Sequence, residues 1–124
     1  MTKLEEIRAA IKAAQKYHWV PVEIVQQAQI WTEFALLARK KCEEAKTRYN
    51  TCRESGLKPP DLIHHRRCME SYANAAYTAL KIAEHLLERK TEDASRAEKM
   101  FFTQMLEGKE NEADEPDPGS HPKV

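Results

Sequence analysis

Cysteine and histidine are the side chains of this 124-residue chain best placed to do metal or thiol chemistry. Cys52, His64 and Cys68 form the densest group, since His64 and Cys68 stand one helical turn apart and Cys52 lies just across a tight turn of the chain. Zinc takes such ligands tetrahedrally. A fourth ligand would have to come from His65, which points about 100° away around a helix, or from another chain, and the paired CxxC spacing is absent. Packing in a helical seam is the simpler expectation for these cysteines, with no metal and no cofactor. Cys42 and Cys52 have nine residues between them, the spacing of twin-cysteine helical hairpins, but that motif needs a second pair and position 78 is Thr.

Carboxylates beside a histidine, as at Glu84, His85 and Glu88, suggest a di-iron helix. Such sites require two Glu-x-x-His motifs and two further inward glutamates, and neither glutamate here precedes a histidine by three. A solvated face is expected instead. No serine or cysteine has a recognisable base and orienting group nearby in sequence, so no catalytic residue is assigned. Tyr17, His18, Trp19 and Trp31 gather near one helix junction, where aromatic residues more often plug a bundle end than line a ligand pocket.

Charge is segregated although the net charge is zero. Between Arg39 and Arg67 there are nine basic residues against four acids, and from Glu84 onward eleven acids against six basic residues. Arg39, Lys40, Lys46, Arg48, Arg53, Arg66 and Arg67 could therefore contact phosphates or an acidic partner. Interleaved stacking aromatics are absent from this cluster, which makes nucleic acid the less favoured partner.

The elements that position these groups are helices. The composition is 32% charged and 41% hydrophobic, with three glycines, and it disfavours sandwiches, barrels and glycine-rich phosphate loops. Thr2 and Glu5 have capping-box spacing, and Leu4, Ile7, Ile11 and Ala14 share one face, which predicts a first helix over 3–17. Pro21 starts a second, over 21–55, whose seam runs Ile24, Ala28, Trp31, Ala35, Ala38, Cys42, Ala45, Tyr49 and Cys52. Ser55, Gly56 and the Lys58–Asp61 segment mark a hairpin tip. A third helix is expected over 61–106, with one stripe through Met69, Ala73, Ala76, Leu80, Ala83 and Leu87 and a second through Tyr72, Ala75, Ala79, Ile82 and Leu86.

So broad an apolar face requires a third layer. The matching stripe on the second helix is Ile30, Phe34 and Leu37, and the first helix is the obvious cover for it. The expected fold is thus all-α: an antiparallel hairpin with an alanine-rich coiled-coil seam and a short N-terminal helix packed on it as a three-helix bundle. Residues 1–107 would form this domain, and the acidic, proline-containing stretch 108–124 a disordered tail. The alanine-rich heptads are shared by many unrelated hairpins and point to no family.

A continuous third helix would leave Tyr72 uncovered and would overhang with Met100, Phe101, Phe102, Met105 and Leu106. These six are the expected partner-binding residues. Ser95 and Glu98 repeat the capping-box spacing after Thr91, so a break there, with a fourth helix folding back, would turn the overhang into core. The opening MTKLEEIRAA lacks the apolar run of a signal peptide, no segment reaches the roughly 18 apolar residues of a membrane span, and the odd cysteine number suits a reducing compartment. The expectation is a cytoplasmic, non-enzymatic interaction protein, homodimeric through uncovered apolar surface, with a nucleic-acid-associated regulator that binds phosphates through the basic hairpin tip as the alternative.

Overall fold

Local signals set the helix boundaries. In the computed structural model, which describes residues 2–113, α1 spans Lys3–Tyr17. Thr2 caps it: its hydroxyl accepts from the Glu5 amide at 3.2 Å, while the Glu5 carboxylate accepts from the Thr2 amide at 2.8 Å. The Thr2 amide and, at 3.0 Å, the Thr2 hydroxyl both donate to the Glu5 carboxylate and hold it below its ordinary range. At its other end His18 takes the left-handed conformation and donates its amide to the Ala14 carbonyl. Pro21 then opens α2, Val22–Glu54.

α2 ends in a Schellman motif. Gly56, at φ 89°, donates to the Arg53 carbonyl and Leu57 donates to the Cys52 carbonyl. α3 follows over Pro59–Leu87 and runs antiparallel to α2, as three cross-contacts establish: Cys42 Sγ to the Met69 carbonyl at 3.4 Å, Arg48 Nη2 to Cys68 Sγ at 3.7 Å, and Cys52 Sγ to His65 Nε2 at 3.6 Å.

The third helix does not continue to residue 106. It stops at Leu87 and the chain reverses into α4, Thr91–Ala113. The turn is a second Schellman motif, with the Arg89 amide on the Leu86 carbonyl and the Lys90 amide on the His85 carbonyl at 2.8 Å. Arg89 occupies the left-handed position, φ 63°, that glycine usually fills. The break falls at Glu88–Lys90, ahead of the Thr91–Ser95 segment where the capping-box spacing would place it. α4 returns along α3, so that Thr78 Oγ1 donates to Gln104 Oε1 at 2.7 Å and Tyr72 Oη, near the middle of α3, donates to a Glu112 carboxylate oxygen. The result is four helices instead of three, with α2 and α4 flanking α3 and parallel to one another. Residues 108–113, expected in the tail, are helical, whereas 114–124 lie outside the described residues.

The core follows from this arrangement. α3 is sandwiched between α2 and α4, and its second stripe is the more deeply buried: Tyr72, Ala75, Ala79 and Ile82 are all at most 1% exposed. Small residues dominate because three helix axes approach closely here. Gly108 meets this limit, since a Cβ at that position would lie 2.8 Å from the Tyr72 ring. α1 contributes Ile7, Ile11 and Ala14 to the core at the end distant from the tip. It is pinned to α3 through Lys3 Nζ, 2.9 Å from the Glu84 carboxylate, which also receives Lys81 at 3.1 Å. Among the described residues there is no strand, and no helix is long and apolar enough to cross a membrane.

Candidate functional site

Reversal of the chain at Arg89 redistributes the six residues of the expected partner-binding surface. Tyr72 is 1% exposed beneath α4, Phe101 is 4% exposed, and Met105 is half-buried between the two core clusters. Their burial has one cause: α4 supplies the cover that a continuous helix would have lacked. Burial, followed by the bond to Glu112, pushes the Tyr72 phenol well above its ordinary range. Met100, Phe102 and Leu106 stay exposed, but Met100 faces Thr78 on α3 while Phe102 turns towards Trp31 on α2.

The stripe Ile30, Phe34 and Leu37 is also not where the sequence places it. α1 packs on the opposite flank of α2, and the stripe is left uncovered at 50%, 36% and 47% exposure. Phe34 joins the ring cluster of Trp31, Phe101 and Phe102, and Phe102 and Leu106 are exposed 57% and 58% on the parallel helix α4, while Ile30 also borders a groove with Arg8 and Ile11 of α1. Trp31 and Phe101 form the floor beneath Phe34 and Phe102, ring centroids 5.1 Å apart and edge to face, with Phe34 5.1 Å from Trp31 and Phe102 6.1 Å from it. A cleft is lined by Lys41, Tyr72, Met105, Leu106, Lys109 and Glu112.

Five large side chains, each roughly half exposed on α2 and α4, present on the order of 400 Å² of apolar surface, within the size range of the largest patch on a monomer, which is often functional. Sequence reasoning identified all five residues. It assigned three of them to core and two to an overhang, so their shared face was missed.

The cationic residues do not form one compact site. Arg39 to Arg53 alone spans about 20 Å of helix, and Arg39 lies on the α1 side, in a groove with Leu4 and Tyr77. Arg48 is half-buried against Cys68, Arg53 lies 6.0 Å from the Tyr49 ring, and Arg66 pairs with Glu70 at 3.5 Å. Lys40, Lys46 and Arg67 are exposed. Glu110 and Glu112, expected in a disordered tail, lie at the end of α4 on the tip side, where Asn111 Oδ1 is 3.3 Å from His64 Nδ1.

The candidate metal ligands part in the same way. Cys52 meets His65 instead of His64, His64 meets Asn111, and Cys68 lies against Arg48. No group of three metal-binding side chains occurs among the described residues. Burial raises the Cys42 thiol, which donates to the Met69 carbonyl. Glu84, the carboxylate of the di-iron reading, is taken by Lys3 and Lys81, and the Lys3 hydrogen bond is the larger cause holding it below its ordinary range. Tyr17 and Trp19 stack on each other at 5.5 Å on the surface, whereas Trp31 belongs to the α2/α4 floor, so no single aromatic pocket forms.

No protein-family model, no curated protein and no solved structure matches this chain.

Proposed function

We propose that this chain is a non-enzymatic interaction protein of the cytoplasm, an adaptor, inhibitor or assembly factor, which docks a protein partner on the α2/α4 face. The observation that carries the reading is the exposure of Phe34 and Phe102 on the buried Trp31–Phe101 pair, with Ile30, Leu37 and Leu106 also exposed on the same two helices. Apolar side chains on a rigid floor gain most from a partner, because their ordering entropy is already spent within the fold. The odd number of cysteines, three, agrees with a reducing compartment. Polyanion binding at the hairpin tip has weaker support, since the cations are dispersed and Glu110 and Glu112 lie close by.

A photo-crosslinking amino acid placed at position 106, and as a control at exposed Thr47 away from the face, tests the reading in cells of the source organism. The expected outcome is a protein adduct from position 106 alone, lost when Leu37→Glu and Phe102→Glu are added. Equal labelling from both positions, or adducts indifferent to the two glutamates, would refute it.

A further inference from the structure

The α2/α4 face carries charge at both ends, and the arrangement is self-complementary. On α2, Glu23 and Lys41 are eighteen residues apart, five turns of helix, so both point along the same line as the Ile30–Leu37 ridge. On α4, Glu98 and Lys109 are eleven residues apart, close to three turns, and flank Phe102 and Leu106 in the same manner. Each helix thus carries an acid at the end distant from the tip, exposed Glu23 and half-buried Glu98, apolar residues at the middle and a lysine towards the tip. There Lys41 lies 5.8 Å over the Tyr72 ring and shares its cleft with Lys109 and Glu112.

The two helices are parallel and their levels are set by contact. Trp31 sits beside Phe101 and Phe102, and Lys41 shares a cleft with Leu106 and Lys109. The midpoint of Glu23 and Lys41 falls at the level of Trp31, and the midpoint of Glu98 and Lys109 beside Phe102. A two-fold axis lying in the face at that level, perpendicular to the helices, would place α2 on α2 and α4 on α4 of a second copy, antiparallel. One operation would then bring all four lysines opposite acids while stacking the apolar residues on themselves.

Resting on the reading of this face as a docking surface, we infer that its occupant is a second copy of this chain, joined in that antiparallel two-fold arrangement. The size is adequate. At the roughly 60% apolar share of protein interfaces, about 400 Å² of apolar surface corresponds to some 700 Å² per partner, near the standard of about 800 Å². Zero net charge imposes no overall repulsion between copies. An isologous contact also closes on itself, so association stops at the dimer.

Sedimentation equilibrium of the purified full chain, from micromolar to submillimolar concentration at low and physiological salt, tests this directly. The wild type is expected to be a reversible dimer. Glu23→Lys and Lys41→Glu should each weaken it roughly tenfold, because each reversal sets like charges together at two symmetry-related positions. The double variant, E23K with K41E, should restore wild-type affinity, an effect that general surface stickiness cannot produce. Glu23 is exposed and Lys41 is half-buried over the Tyr72 ring, so circular dichroism verifies folding of each variant. A monomeric wild type would overturn the dimer yet leave the face reading to the cellular crosslinks, where only foreign adducts would then be found. A dimer indifferent to the single reversals, or one that the double variant fails to restore, would overturn this arrangement.

Discussion

Phe101→Ala against Phe102→Ala is the sharpest test of the fold, because the two neighbours differ only in what α4 does with them. Phe101 is 4% exposed, with Trp31 at 5.1 Å edge to face and Phe34 stacked at 6.0 Å. Truncating a buried phenylalanine costs about 3–5 kcal/mol, of which aromatic pairing supplies about 0.5–1.5 kcal/mol per pair. Phe102 is 57% exposed and makes edge contacts with Trp31 and Phe101, so its loss should cost about 1 kcal/mol or less. Urea unfolding followed by circular dichroism and tryptophan fluorescence, at a fixed low protein concentration, measures both. Phe101→Ala is expected to lower the midpoint strongly and to release α4, exposing Trp31; Phe102→Ala should shift the midpoint little. Equal effects, or a Phe101→Ala protein as stable as the wild type, would mean that α4 is not seated on α2 and α3.

Gly108→Ala sets two opposite effects against each other. Alanine ordinarily gains about 0.8–1 kcal/mol over glycine within a helix, but here the new methyl would stand 2.8 Å from Tyr72 Cε1 and Cζ, and overpacking of that kind costs about 1–3 kcal/mol. Net destabilisation is expected in the same urea assay, and stabilisation would show that the close approach of α4 to Tyr72 is not made. Glu84 supplies a pH prediction: its folded value is held below the ordinary 4.5 by Lys3 first and Lys81 second. A depressed carboxyl contributes stability that is present above its unfolded value and is lost as pH falls through the folded value. Thermal melts should therefore lose stability below about pH 4.5, and Glu84→Gln should be less stable at pH 7 and should flatten that acid limb. An unchanged limb would mean that the Lys3–Glu84 contact does not form in solution.

Two turns of the same type show where local information suffices and where it does not. At the hairpin tip Gly56 stands at the left-handed position, and glycine there is legible because no other residue adopts that conformation without cost. At the second reversal Arg89 holds the same position, at a cost of about 1–2 kcal/mol, and nothing in its side chain announces a turn. That cost is offset from a distance. Burial of Phe101 alone contributes about 2–3 kcal/mol, and Ala94, Met105 and the Tyr72–Glu112 bond add to it.

Residue types and spacing by themselves determined an all-helical chain, the cap at Thr2, the break at Pro21, the tip at Gly56 and the small-residue stripes that let helices approach. Each of these depends on neighbours within a few positions, where propensity, capping and periodicity act. Only the tertiary structure decided which apolar stripe would be covered. The stripe through Tyr72, Ala75, Ala79 and Ile82 takes α4, and the stripe through Ile30, Phe34 and Leu37 is left to solvent, because α1 is too short to cover both flanks and finds its charged anchor at Glu84. Periodicity reports that a face is apolar. It carries no information on which of several apolar faces a distant helix will reach, since that choice is made by total buried area and by the geometry of a turn that the Ser95–Glu98 spacing announces only approximately.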